Sequence, residues 1–205
     1  DNRSSHSGAL PLLAEDETPP FEIGNVGGRA PLVLVCDHAR NVIPRALADL
    51  GLDADLRARH IALDIGCEML AHRLAHRLDA VLVLARFSRL VIDLNRPLND
   101  PTSIAPCSDG FIVPCNQNVS TEQRLSREKE IFIPYHKAVA AHVKWGHAKH
   151  GVPALNRFIS LLDTSDAPHA ALLLPLGSSA LSSYNNSRSV LETDNRVAIY
   201  PQLIC

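Results

Sequence analysis

The chain has 205 residues, of which 46% are hydrophobic and 4% aromatic, and its 20 basic and 22 acidic side chains give a formal net charge of −2. This balance argues against a nucleic-acid-binding protein, which usually presents a strongly basic face. No apolar run approaches the roughly 18 residues that cross a bilayer, and the polar first residues show no signal-peptide pattern, so we expect a cytoplasmic globular protein. The five cysteines include no CxxC pair, which argues against a disulfide scaffold and against a thiolate zinc site.

Three predicted strands and one helix follow an N-terminal segment. Residues 1–30 are rich in Pro, Gly, Ser and acidic groups and are predicted to form an arm or linker. The unbroken apolar run at residues 32–36 predicts a strand that is buried on both faces. Residues 53–78 show a helical spacing of apolar side chains, and AVLVLARF (80–87) and RLVIDL (89–94) predict two further strands.

The second half of the chain is predicted to hold a long loop and a long helix. Residues 95–118 are polar and too numerous for a simple connection, which is typical of functional loops. Ser120 and Gln123 form a capping-box pattern for a helix that reaches about His150, and Pro134 should kink or interrupt it. The order of elements predicts an α/β sandwich with a mixed, largely parallel sheet over residues 31–150. Residues 151–205 have little periodicity and are predicted to be a divergent tail.

Two polar clusters follow predicted strands, at the edge where open α/β sheets bind ligands. The first holds Asp37, His38 and Asn41, and the second holds Asp93, Asn95 and Arg96. His38 is interpreted either as a metal ligand or as a histidine that stabilises a turn. Arg96 is suited to forked recognition of a carboxylate, and the alternative is a structural ion pair with Asp93 or Asp100.

Several stretches between residues 32 and 142 resemble the N-formylglutamate amidohydrolase family. They are LVLVCDHARNVIP, RHIALDIGCEMLAHRL, SRLVIDLNRPLNDPTSI, SDG and IPYHKAV, in the order in which the family has them. That family looks related to zinc carboxypeptidases and aspartoacylase-like deacylases. The resemblance therefore implies a three-layer αβα sandwich of the phosphorylase/hydrolase-like kind.

The resemblance also implies a zinc-dependent hydrolysis of an N-acyl amino acid, with N-formyl-L-glutamate as the leading substrate. The family places Asn three residues after the metal-binding His, as His38 and Asn41 stand here, and Asp64 is the candidate for the second metal ligand. The implied roles are metal binding for His38 and Asp64, oxyanion stabilisation for Arg89, and substrate binding for Asn41, Asn95 and Arg96. His136 is a further candidate catalytic residue in the active-site pocket, to which the resemblance assigns no role. The implied partner is a small molecule, with no nucleic acid and no membrane, and the oligomeric state is not indicated.

The tail departs from the family pattern. A His-Ser-Phe motif and a glutamate-containing terminal strand are expected after about residue 150, and the sequence there reads GVPALNRFISLLDTSDAPH. His169 is the only histidine beyond His150, and Glu192 is the only glutamate in the tail. The third metal ligand and the general base are therefore not identified. The alternative function is a catalytically inactive or truncated family member that acts at most as a carboxylate-binding module.

Overall fold

A computed structural model of the chain describes residues 11–150 and 155–158. This part is a mixed α/β structure in which helices pack on a small mixed sheet. The strands are β1 (Phe21–Gly24), β2 (Leu32–Cys36), β3 (Val81–Ala85), β4 (Cys107–Ser108), β5 (Phe111–Ile112) and β6 (Leu155–Phe158). The α-helices are α1 (Ala54–Arg57), α2 (Cys67–Leu78), α3 (Thr121–Arg127) and α4 (Ile133–His150). Short 3-10 helices occupy Arg45–Gly51, Pro101–Ile104 and Pro114–Asn116.

Four strands form the sheet in the order β1-β3-β2-β6, while β4 and β5 pair separately as a hairpin. β2 runs parallel to both β3 and β6, and β1 runs antiparallel to β3. The predicted mixed, largely parallel sheet is therefore present among the described strands. The first two predicted strands are confirmed, at β2 and β3.

Helices cover the central strands from both sides. On one face, the small side chains Cys67, Ala71 and Ala75 of α2 let that helix approach Leu34 and Leu82 closely. On the other face, Tyr135 and Val139 of α4 pack in one cluster with the alternate residues of β2 and β3. Because both faces are covered, the strands are apolar throughout, as the sequence pattern indicated.

The predicted helix at residues 53–78 is only partly correct. The chain forms the short helix α1, then turns over residues 58–66, and α2 begins after Gly66, which has a φ of 82°. The helical spacing predicted a buried face that includes Leu70, Leu74 and Leu78, but Leu78 is 44% exposed and the buried residues of α2 are Cys67, Ala71 and Ala75.

The third predicted strand, residues 89–94, is wrong. These residues form turns, although Leu90, Val91, Ile92 and Leu94 are all buried. Side chains rather than a neighbouring strand satisfy the backbone here: Asn116 donates to the Leu90 carbonyl, and Arg127 donates to the Val91 carbonyl.

Part of the predicted N-terminal arm lies in the sheet. β1 is an edge strand, and Leu12 is buried in the larger apolar cluster. The Glu130 carboxylate accepts hydrogen bonds from the backbone N–H groups of Leu12 and Leu13, both at 2.9 Å. The domain boundaries at residues 30 and 150 stay predictions.

The predicted capping box of Ser120 and Gln123 is confirmed at the start of α3. The expected interruption near Pro134 is a π-helical turn over Glu128–Phe132, which separates α3 from α4. Proline has no N–H to bond the Glu130 carbonyl, which accounts for a wider turn at this point. None of the helices in residues 11–150 has the length and apolarity that a bilayer crossing requires.

Candidate active site

The candidate site forms where three segments meet beyond the end of β2. Asp37 and His38 follow β2 directly, and both side chains are buried. The Asp64 N–H donates to the His38 carbonyl at 2.9 Å, which holds the turn before α2 against this segment. The third segment carries Asp93, whose N–H donates to the Ser103 carbonyl at 2.7 Å.

The imidazole of His38 lies between two buried carboxylates. Its Nε2 is 2.8 Å from Asp93 Oδ1, and its Nδ1 is 3.4 Å from Asp64 Oδ2. Nδ1 is buried and has no hydrogen-bond partner within the described residues. Asp93 thus fixes the ring through one nitrogen and leaves the other facing Asp64.

Arg89 closes this group from the solvent side. Its Nη1 lies 3.4 Å from Asp64 Oδ1, and its Nη2 lies 3.2 Å from Asp93 Oδ2. Each carboxylate therefore divides its two oxygens between His38 and the guanidinium. Because the Arg89 side chain is 25% exposed, its cationic group reaches the surface beside a buried cluster.

Burial and these ion pairs together set the pKa values of His38 and Asp93. Burial by itself would lower the pKa of His38, but the adjacent Asp93 and Asp64 carboxylates raise it to about 9. Burial would raise the pKa of Asp93, whereas His38 and Arg89 hold it well below its usual range. Without a metal ion, His38 is thus an imidazolium at neutral pH, and Asp93 is ionised.

The predicted substrate-binding residues lie in different surroundings. The Asn95 N–H donates to Asp93 Oδ1 at 2.9 Å, which places Asn95 next to the cluster. Arg96 is 44% exposed and makes ion pairs with Asp93 (3.4 Å) and Asp100 (3.7 Å), as the structural alternative for this residue anticipated. Asn41 uses its side-chain amide to donate to the Arg57 carbonyl at 2.8 Å.

His136 lies on α4, and its ring contacts Leu94 and Phe132. Its Nε2 is 3.0 Å from the Leu94 carbonyl oxygen, and its ring lies 4.2 Å from that of Phe132. Burial lowers the pKa of His136 to about 4, so the ring is neutral at pH 7. Within residues 11–150, no hydrogen bond or ion pair joins His136 to the His38 cluster, and its predicted place in the pocket stays a prediction.

Two contacts of the site were missed at the sequence level. Asp93 was placed in the second polar cluster with Asn95 and Arg96, but its contact with His38 was not predicted. Tyr135 donates from its hydroxyl to Asp37 Oδ1, and both residues are buried. Burial raises the pKa of the Asp37 carboxyl and also that of the Tyr135 hydroxyl. An aspartate next to a histidine at a strand end is the signal that pointed to Asp37, but no pattern linked it to α4.

The separation of His38 and Asp64 matches that of two ligands bound to one metal ion. Two ligands of one tetrahedral zinc ion, each about 2.0–2.1 Å from the metal, lie about 3.3 Å apart, and His38 Nδ1 and Asp64 Oδ2 are 3.4 Å apart. A metal-binding histidine usually donates its other ring nitrogen to a carboxylate, as His38 does to Asp93. A catalytic zinc usually has three protein ligands, but residues 11–150 and 155–158 bring no third His, Cys, Asp or Glu to this pair. His169 and Glu192, the candidates in the tail, lie outside the described residues.

The sequence profile of the N-formylglutamate amidohydrolase family matches residues 30–177. The chain belongs to this family. The match continues beyond the motifs that carried the resemblance and includes all three segments of the candidate site.

Solved structures that are similar to this chain include the following two. One is a gene product of Agrobacterium tumefaciens, 30% identical over 72% of this chain with a TM-score of 0.69. The other is an N-formylglutamate amidohydrolase from Ralstonia eutropha, 26% identical over 68% of this chain with a TM-score of 0.50. This chain spans only 58% and 56% of those two chains, respectively. No curated protein sequence matches it.

Proposed function

We propose that this chain is a metal-dependent amidohydrolase that cleaves an N-acyl amino acid, with N-formyl-L-glutamate as the leading substrate. The observation that carries the proposal is the His38 ring, which is fixed by Asp93 at Nε2 and has a buried Nδ1 3.4 Å from Asp64 Oδ2. Family membership and the similar amidohydrolase structure support the reaction class. We also propose the three-layer αβα sandwich of the zinc carboxypeptidase relatives as the complete fold and the cytoplasm as its location.

His38 and Asp64 would hold the metal, which we propose is zinc. A bound zinc ion polarises an amide carbonyl and makes water a stronger nucleophile near neutral pH. Asp93 keeps the ring orientation and the Nε2–H tautomer that metal binding through Nδ1 requires. Release of the Nδ1 proton must accompany metal binding, because a ligand histidine is neutral.

The arginines supply the positive charge that an acyl amino acid needs. Arg89 is partly exposed at the rim of the cluster, where its guanidinium can stabilise an oxyanion on the substrate. Arg96 is more exposed; its Nε pairs with Asp93 and its Nη1 pairs with Asp100, and its Nη2 can donate to a substrate carboxylate. The Asn95 N–H donates to Asp93, the carboxylate that pairs with both arginines.

A second candidate function is a carboxylate-binding protein without turnover. The observation that favours it is that the described residues supply only two ligands to the candidate metal site. In that case Asn95 and Arg96 would still bind glutamate, and added zinc would produce no hydrolysis.

The deciding experiment measures zinc content and formate release together. The purified protein is dialysed against metal-free buffer, analysed for zinc, reloaded, and assayed with N-formyl-L-glutamate. We expect close to one zinc per chain and chelator-sensitive turnover, both of which His38→Ala abolishes. His72→Ala is the matched control. Because His72 lies on the exposed face of α2, this variant should keep both the bound zinc and the turnover. Absence of turnover at every zinc concentration, with glutamate still bound, would establish the second function.

A further inference from the structure

Two cysteines are in contact next to the candidate site. The sulfur atoms of Cys36 and Cys67 are 2.9 Å apart, and both side chains are completely buried. Neither cysteine forms a disulfide in this structure. They pack with Leu34 and Ala71 in the apolar cluster between the sheet and α2. No role in the proposed hydrolysis requires a thiol at either position.

Each cysteine is coupled through the backbone to one candidate metal ligand. Cys36 is the last residue of β2 and stands two residues before His38. Cys67 is the first residue of α2, and its N–H donates to the Asp64 carbonyl at 3.0 Å. A covalent bond between the two sulfurs would therefore tie the segment of His38 to the segment of Asp64.

We propose that Cys36 and Cys67 form a reversible disulfide when the protein meets a peroxide, and that this bond locks the two halves of the candidate site together. One sulfur loses its proton and attacks a peroxide oxygen, the O–O bond breaks, and the leaving hydroxide takes the proton, so that a sulfenic acid and water form. The second thiol attacks the sulfenic sulfur, the S–O bond breaks, and a second water leaves. The two thiols are oxidised by two electrons in total, and hydrogen peroxide is reduced to two molecules of water. The sulfurs then approach from 2.9 Å to about 2.05 Å, which is a small movement.

Access to the buried thiols requires a local opening at the start of α2. Gly66 precedes the helix with a φ of 82° and gives it no side-chain cap. The neighbouring Ile65 is 64% exposed, so it adds little burial to this end of the helix. This opening must break the hydrogen bond from the Cys67 N–H to the Asp64 carbonyl and expose the buried Cys67 side chain, so it is a rare event. We therefore expect slow oxidation by hydrogen peroxide, which is small enough to enter during such openings.

Peptide mapping tests the bond directly. The full chain is treated with hydrogen peroxide, its remaining thiols are alkylated under denaturing conditions, and it is digested with trypsin without reduction. We expect one linked species that joins residues 30–40 to residues 60–73, lighter by two hydrogens than the sum of the peptides and lost after reduction. The double variant Cys107→Ser/Cys115→Ser removes two exposed thiols and should still give it. Alkylated Cys36 and Cys67 in the oxidised sample, with no linked species, would overturn the proposal.

The locking effect has its own measurement. The disulfide closes the stretch of chain between Cys36 and Cys67 into a loop. This should raise the unfolding temperature of the oxidised protein by roughly 10 °C over that of the reduced protein. Cys36→Ala and Cys67→Ser should show no such difference between oxidising and reducing conditions. The effect on the candidate site rests on the proposed function. Zinc should dissociate more slowly from the oxidised protein than from the reduced protein. Equal dissociation rates would show that the disulfide does not lock the site. If neither form binds zinc, the proposed function fails, while the peptide map still decides the disulfide.

Discussion

His38 and Asp93 are 55 residues apart in the sequence, yet His38 Nε2 and Asp93 Oδ1 are 2.8 Å apart in a buried site. The contact joins the end of β2 to a turn that follows β3. Asp93 is also the acceptor for the Asn95 N–H and the partner of Arg89 and Arg96. One carboxylate therefore orients a candidate metal ligand, a candidate oxyanion-binding group and the candidate substrate-binding pair.

Asp93→Asn should weaken zinc binding by at least about tenfold, because the amide removes the charge that supports the His38 ring. Competition with a chromophoric chelator measures the affinity. Asp100→Asn is the matched control, since Asp100 pairs with Arg96 and not with His38. Equal zinc affinity in the Asp93→Asn variant and the unsubstituted protein would show that Asp93 does not orient a metal ligand.

Arg96→Ala should weaken substrate binding more than it slows the chemical step. Removal of a charge-assisted contact with a carboxylate costs about 1.5–3 kcal/mol, or roughly tenfold to a hundredfold in affinity. We expect a higher KM for N-formyl-L-glutamate with a similar kcat, and weaker glutamate binding in calorimetry. Arg45→Ala serves as control, because Arg45 is an exposed arginine that pairs with Asp16. A large loss of kcat at unchanged KM would instead place Arg96 in the chemical step.

Tyr135→Phe should lower the free energy of unfolding by about 1–3 kcal/mol, because it leaves the buried Asp37 carboxyl without its hydroxyl donor. Urea denaturation gives the value. The same change in an Asp37→Asn background tests the specific contact, because coupled partners have non-additive effects. We expect the tyrosine substitution to cost less there, and an identical cost in both backgrounds would contradict a direct contribution from this pair.

Arg127→Met should be among the most destabilising substitutions on α3. Arg127 is 1% exposed, and its Nη1 donates to the Val91 carbonyl and to Asn116 Oδ1. A methionine fills similar volume but leaves both acceptors unpaired, which should cost about 3 kcal/mol of unfolding free energy. The matched substitution Arg124→Met, on a side chain that is 31% exposed, should cost about 1 kcal/mol or less. Similar midpoints for the two variants in chemical denaturation would rule out this role for Arg127.

The same buried arginine explains where the sequence misled. The apolar run at residues 89–94 has the composition of a buried strand, and apolarity alone does not distinguish a strand from a buried turn. What decides the conformation is the partner of each carbonyl, and Arg127 and Asn116 supply partners from more than 20 residues away. A local pattern contains no information about such distant donors.

The predictions that succeeded rest on local rules or on topology. The unbroken apolar runs identified β2 and β3, and Ser120 with Gln123 identified the start of α3. His38 follows β2 as predicted, whereas Asp93 was assigned to the end of a strand that residues 89–94 do not form, and the contact between the two side chains was not predicted. The contact of Asp37 with Tyr135 was not predictable, because it depends on how α4 packs across the sheet.

His136 gives the folded protein a defined sensitivity to acid. Burial lowers its pKa in the folded state from the ordinary 6.5 to about 4. The unfolded chain therefore binds one more proton than the folded chain between these two pH values, and the free energy of unfolding falls as the pH is lowered through this window. The full shift corresponds to a loss of up to about 3 kcal/mol of unfolding free energy.

Urea denaturation at several pH values between 4 and 7 measures how steeply the free energy of unfolding changes with pH. His136→Gln keeps a donor for the Leu94 carbonyl but cannot titrate, so its stability should vary less with pH than that of the unsubstituted protein. His72→Gln, on the exposed face of α2, should leave the slope unchanged. A slope that persists fully in the His136→Gln variant would mean that carboxylates, and not this imidazole, set the acid limit.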